Sequence, residues 1–130
     1  MTTTEQDTQT QVSETVATYL AAWNEPDAKK RAPMIAESWA EDGRLIDPPF
    51  AVRGHAQIVE AMSGVHAQYP GHRFRQVSPV DVHHDQFRYA WELLDPSGDV
   101  VLAGIDVGEV DQRNRLTRVA GFWGDLETGE

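Results

Sequence analysis

Three residues combine a proton-handling side chain with apolar neighbours. Asp106 stands mid-way along Val100–Val110, beside Leu102, Ile105, Val107 and Val110. A carboxyl there that faces a closed interior is desolvated, which raises its pKa and makes the neutral acid a hydrogen-bond donor. A lone Asp in such a run needs a reason to be there, because an unpaired buried charge is expensive. Tyr19 shares an apolar stripe with Val12, Val16, Leu20 and Trp23, so its ring faces inward and its hydroxyl needs a partner. Asp47 precedes Pro48-Pro49, whose rings fix the local backbone. Two convergent donors in an apolar cavity stabilise an enolate-like oxygen. A carboxylate at the cavity mouth can remove a proton beside a carbonyl. Each residue also has a purely structural reading. Tyr19 can be core with its hydroxyl on a backbone carbonyl, Asp47 can be a turn former, and Asp106 can face a dimer interface.

The remaining candidates carry less. His83-His84 are adjacent, and neighbours on a strand point to opposite faces, so no metal site is expected there. His55, His66 and His72 surround the third helical segment and read as satisfied or exposed, with His66 nearest the inward stripe. No Gly-x-Ser-x-Gly elbow, phosphate loop or dinucleotide fingerprint occurs. The absence of cysteine removes disulfides, zinc-thiolate sites and thiol nucleophiles. The expectation is chemistry without metal or cofactor.

The elements that must position these groups follow from periodicity. An amphipathic helix is expected from Thr8 to about Asn24, with residues 1–7 frayed. A turn over 27–31 and a fresh helix over 33–40 follow, with Pro33 in the first turn and Met34, Ile35 and Trp39 facing inward. Glu41-Asp42-Gly43 stops it, Arg44–Asp47 is a short strand, and a helix spans about Gly54–Tyr69. His72–Val82 alternates loosely. Phe87, Tyr89, Trp91 and Leu93 alternate with polar or small residues, which marks a strand. Asp95-Pro96-Ser97-Gly98 turns into Val100–Val110, and Asp111–Asn114 turns into Leu116–Trp123. Helices followed by an antiparallel meander predict an α+β fold, a curved sheet packed against N-terminal helices and enclosing a pocket.

With 130 residues the length predicts one domain spanning 1–130. Eleven basic against twenty-one acidic residues leave a formal charge of −10, which disfavours nucleic acid and anionic membrane surfaces as partners. Lys29-Lys30-Arg31 reads as a solvated helix face. No apolar run approaches the roughly 20 residues of a membrane span, and Met1–Gln11 lacks the features of a signal peptide, so a cytoplasmic location is the default.

The order Thr18-Tyr19-Leu20-Ala21-Ala22-Trp23, Trp39-Ala40-Glu41-Asp42, Ile46-Asp47-Pro48, Arg53-Gly54-His55-Ala56-Gln57-Ile58, Gly104-Ile105-Asp106-Val107, Arg115-Leu116 and Gly121-Phe122-Trp123 resembles the SnoaL-like branch of the nuclear transport factor 2 (NTF2)-like superfamily over residues 12–124. The resemblance implies a cone-shaped, cystatin-like α+β fold. The superfamily includes ketosteroid isomerases, polyketide cyclases, epoxide hydrolases and non-catalytic binding domains, so the fold alone does not fix the function. In ketosteroid isomerase one Asp is the base, and a Tyr with a protonated Asp forms the oxyanion hole. The resemblance places Asp47, Tyr19 and Asp106 in those roles. Trp39 and Met62 stand where the isomerases often carry further tyrosines, and the loop after Asp47 is shorter. The implied activity is cofactor-independent proton transfer on a small hydrophobic carbonyl compound, with a non-catalytic binding domain or an epoxide hydrolase-like enzyme as alternatives. Ala90 between Arg88 and Glu92 breaks the epoxide hydrolase pattern. Trp39, Met62, Tyr89, Trp91, Val119 and Trp123 are expected to contact the ligand, and the outer sheet face to form a homodimer.

Overall fold

A computed structural model describes residues 5–126. Helix α1 (Glu5–Asn24) buries Val12, Val16, Tyr19, Leu20 and Trp23, the stripe set by its sequence period. It starts before Thr8, so 5–7 are helical, while 1–4 lie outside the described residues. Helix α2 (Ala28–Ser38) is continuous and carries Pro33 inside it, in place of the expected turn and fresh helix. Its start is fixed ahead of the proline: the Asp27 carboxylate accepts from the Lys29 backbone N–H at 2.9 Å.

Arg31 is fully buried, which corrects the solvated reading of Lys29-Lys30-Arg31 for that residue. Its guanidinium donates to the carbonyls of Glu25 (3.1 and 2.8 Å), Pro26 (3.3 Å) and Val59 (2.9 Å) and to Ser63 Oγ (2.7 Å). One cation thus ties the end of α1 to α2 and to α3 (His55–Gln68). Arg31→Met is expected to lower unfolding free energy by roughly 2–4 kcal/mol, because those acceptors lose a charged donor inside the protein. Urea denaturation checks this, with Lys30→Met as the exposed control expected within about 0.5 kcal/mol of wild type.

Among the described residues seven strands form one sheet: β1 (Trp39–Asp47), β2 (Phe50–Arg53), β3 (Arg73–Gln76), β4 (Asp81–His83), β5 (Gln86–Leu94), β6 (Val100–Val110) and β7 (Leu116–Trp123). The order is β2-β1-β7-β6-β5-β3, with β4 also on β5. The fold is the expected α+β cone, with helices packed on a curved sheet. Its sheet is mixed rather than wholly antiparallel, because β1 runs parallel to β7. Strand β1 is longer than Arg44–Asp47: it begins at Trp39 and shifts register between Trp39 and Arg44. Trp39 therefore belongs to a strand, not to α2. It is fully buried, and its ring meets Tyr19 edge-on at 5.6 Å. Pro48-Pro49 forms the turn into β2, a strand absent from the sequence reading.

Two side-chain-braced turns set the register of the long strands. Asp95 Oδ1 accepts from the N–H groups of Ser97 and Asp99, both at 2.9 Å. Asp111 Oδ1 accepts from those of Arg113 (2.8 Å) and Arg115 (3.0 Å), with Asn114 at φ 60. The resulting pairing puts Asp106 opposite Tyr89 on one side and Gly121 on the other. Beyond β4, His84 takes φ 54 and turns back, so that its Nδ1 lies 3.1 Å from that of His83. The two rings meet, because His84 is not on the strand.

Candidate active site

The parallel β1–β7 pair brings distant residues into one row. Ile46 is opposite Ala120, so Asp47 comes level with Gly121, which is itself opposite Asp106. Strands lie about 4.8 Å apart, so the two aspartates would be separated by an ordinary residue. Glycine removes that obstacle. A Cβ at position 121 would lie 2.0 Å from Asp47 Oδ1 and 3.1 Å from Asp106 Oδ1. Both carboxyls lean over the bare backbone of Gly121.

Asp106 is buried, and each of its oxygens is held. Tyr89 donates its hydroxyl to Oδ2 at 2.5 Å, and Trp91 donates its indole N–H to Oδ1 at 3.0 Å. Trp91 reaches it because Gly104 leaves room: a Cβ there would lie 2.4 Å from the Trp91 ring. Burial pushes the Asp106 carboxyl up to about 7; the Tyr89 bond opposes this, the Asp47 charge adds to it, and the Trp91 bond opposes it. Burial likewise raises Asp47 to about 6. Tyr19 is almost fully buried, and its hydroxyl is pushed well above the usual phenol range by burial, then by the charges of Asp106 and Asp47.

Tyr19, Asp47 and Asp106 all line one cavity of about 710 Å³. Trp91 and Trp123 line it as well, Trp123 near the mouth at 43% exposure. The other expected contacts are placed differently. Trp39 on β1, Met62 on α3 and Val119 on β7 are wholly buried in the core between helices and sheet and do not line the cavity. Tyr89 also lies behind it and reaches the site through Asp106. The sequence reading missed Trp23, Phe50, Phe74 and Leu102, which complete the apolar wall. Of these, Trp23 was signalled by its place on the α1 stripe; the others sit on short strands or near strand ends with weak local pattern.

His66 is bonded through Nε2 to the Trp23 carbonyl at 2.7 Å, and His55 to that of Trp39 at 2.9 Å. Arg88 and Glu92 point away from the cavity, Arg88 paired with Asp81 at 2.8 Å and Glu92 with Arg75. Among the described residues, no group of three or more His, Cys, Asp or Glu is placed to hold a metal ion.

The SnoaL-like domain family model matches residues 16–119, and the chain belongs to that family. A solved structure of a candidate isomerase of the SnoaL-like family from Agrobacterium tumefaciens is 34% identical, with a TM-score of 0.84, covering 89% of this chain and 99% of that one. A candidate SnoaL-like polyketide cyclase from Jannaschia sp. CCS1 is similar at 18% identity and TM-score 0.72, covering 95% and 90%. A protein with a cystatin-like fold from Methylobium petroleophilum shares the fold at 19% identity and TM-score 0.70, covering 92% and 80%. Among curated proteins, none matches this chain.

Proposed function

We propose that this member of the SnoaL-like family is an isomerase- or cyclase-like enzyme that moves a proton beside the carbonyl of a small hydrophobic substrate, without a cofactor. The observation that carries the reading is the meeting of Asp47 and Asp106 over Gly121 in an apolar cavity that Tyr19 also lines. The likeness to a candidate isomerase and a candidate polyketide cyclase supports the same class.

The two carboxyls divide the work by environment. Asp47, at about 6, is mostly ionised at neutral pH and takes the proton from carbon. The electron pair moves onto the carbonyl oxygen. Asp106, at about 7, keeps its proton on a large fraction of molecules and donates to that oxygen together with Tyr19. The proton then returns from Asp47 to another carbon, or the enolate attacks a second carbonyl and closes a ring. In the epoxide-opening alternative a nearby arginine would be needed, yet Arg88 lies on the outer face with its own partner.

The signs of the two shifts give the test. Below about 6 the base Asp47 is protonated, and above about 7 the donor Asp106 is ionised. The value of kcat/KM for proton exchange on a cyclic enone is expected to rise through the first and fall through the second, a narrow bell. A rate that climbs steadily with pH to alkaline values would overturn the assignment of Asp106 as donor.

The outer sheet face supports a second-copy interface: Ile105 is 46% and Phe122 61% exposed there, on paired strands. Sedimentation equilibrium is expected to give twice the chain mass of 14.5 kDa, and Phe122→Asp to shift it to that of one chain. A wild type that stays at one chain mass at micromolar concentration would refute the dimer.

A further inference from the structure

We infer that the cavity takes an uncharged, elongated ketone bearing a hydroxyl at the end remote from its reacting carbonyl, and that His72 reads that hydroxyl. The inference rests on the proton-transfer reading for which end the carbonyl occupies. Among the described residues, no lysine or arginine lines the cavity, while two carboxyls do. An anionic ligand would lose its hydration with no cation to replace it.

The second polar end is built at the mouth. Gln68, Tyr69 and His72 line the cavity beyond the aromatic wall. His72 Nδ1 lies 3.1 Å from the Pro70 carbonyl oxygen, which can only accept. The neutral ring therefore carries its proton on Nδ1, and Nε2 is left as the acceptor. The Tyr69 ring stands edge-on to it at 5.5 Å and limits its rotation.

Strand register gives the length. Asp106 is opposite Tyr89, whereas Arg73, next to His72, is opposite Leu94 at the far end of β5. That interval of β5 spans about 16 Å at roughly 3.3 Å per residue. Between the two ends Phe74 packs against Trp23 at 5.0 Å and against Trp91 at 5.5 Å, an aromatic slot for fused rings. The Nε2 acceptor at the mouth selects for an uncharged hydrogen-bond donor, of which a hydroxyl is the simplest.

The test uses three anthracene probes whose phenol mimics the enolate: one with that hydroxyl alone, one with a second hydroxyl on the opposite end ring, and one with a carboxylate there. Affinities are measured by tryptophan fluorescence at about pH 7, where Asp106 keeps its proton on a large fraction of molecules. The second hydroxyl is expected to tighten binding to wild type about fivefold to tenfold, and the carboxylate to weaken it below the monohydroxy probe. His72→Phe, which keeps a ring against Tyr69, is expected to abolish the preference, and His72→Gln, which returns an acceptor, to restore part of it. Equal affinity for both phenols, a preference that survives His72→Phe, or a carboxylate bound as tightly as the monohydroxy probe would overturn the inference. No turnover enters these readings. A hydroxyl preference that persists in a protein showing no Asp47-dependent exchange would sink the proton-transfer reading and leave the role of His72 standing.

Discussion

Replacing Asp47 by Asn is expected to lower the rate of proton exchange on an enolisable cyclic ketone about 100- to 10,000-fold, the usual contribution of a positioned base. The amide has nearly the same shape and still leans over Gly121, while it cannot take a proton. Tyr19 is untouched, so a phenol that mimics the enolate should still bind at a pH low enough to keep Asp106 protonated. Asp106 gives up its proton more readily in the variant, because the neighbouring charge that raises its pKa is gone. Thermal unfolding of the variant is expected near wild type, since Asp47 ends a strand and has no hydrogen bond that braces its turn among the described residues. A variant that unfolds would assign Asp47 to the turn, and one that turns over at the wild-type rate would remove the base.

Gly121→Ala is expected to damage the site from the backbone. The new methyl would stand 2.0 Å from Asp47 Oδ1, closer than any real contact, and 3.1 Å from Asp106 Oδ1. Position 121 is buried within β7, paired with Asp106 on one side and next to Ala120, which pairs with Ile46 on the other, so the strand has little room to move. The carboxyls must part. A misplacement of about 1 Å at reacting groups can cost on the order of 100-fold in rate, so turnover should fall by at least that much. The Ala variant separates geometry from chemistry, because it keeps both aspartates. Full activity in a folded Gly121→Ala protein would show that the two carboxyls do not act as one site.

Much of this architecture is legible before any coordinates. The α1 stripe and the bounds of β6 and β7 follow from local period and from turn residues such as Asp95 and Gly98. What is not legible depends on partners far away in the chain. Trp39 follows Ile35 by one helical turn, so spacing places it on α2; only pairing with Leu116 shows that it opens a strand. The parallel β1–β7 contact leaves no local pattern, and with it goes the placement of Asp47 beside Gly121. Arg31 looks like one more surface cation because its acceptors are mostly backbone carbonyls, which no sequence displays. The pairing of Asp106 with Tyr89 and Trp91 hides for the same reason: an alternating strand shows which side chains face inward, not which atoms they reach. Resemblance and neighbours nominate Tyr19, Asp47 and Asp106; the cross-strand register brings the two aspartates together, and α1 carries Tyr19 to the same cavity.

Carboxyl-carbon NMR titration of the wild-type protein, with Asp47→Asn and Asp106→Asn to identify the signals, tests most directly whether these two residues form one desolvated proton-transfer pair. The account predicts two carboxyls with midpoints near 6 and 7, well above the ordinary aspartate value of about 3.9. It also predicts that the Asp106 midpoint drops when Asp47 is replaced. Two aspartates that titrate near the ordinary value, each indifferent to loss of the other, would contradict it.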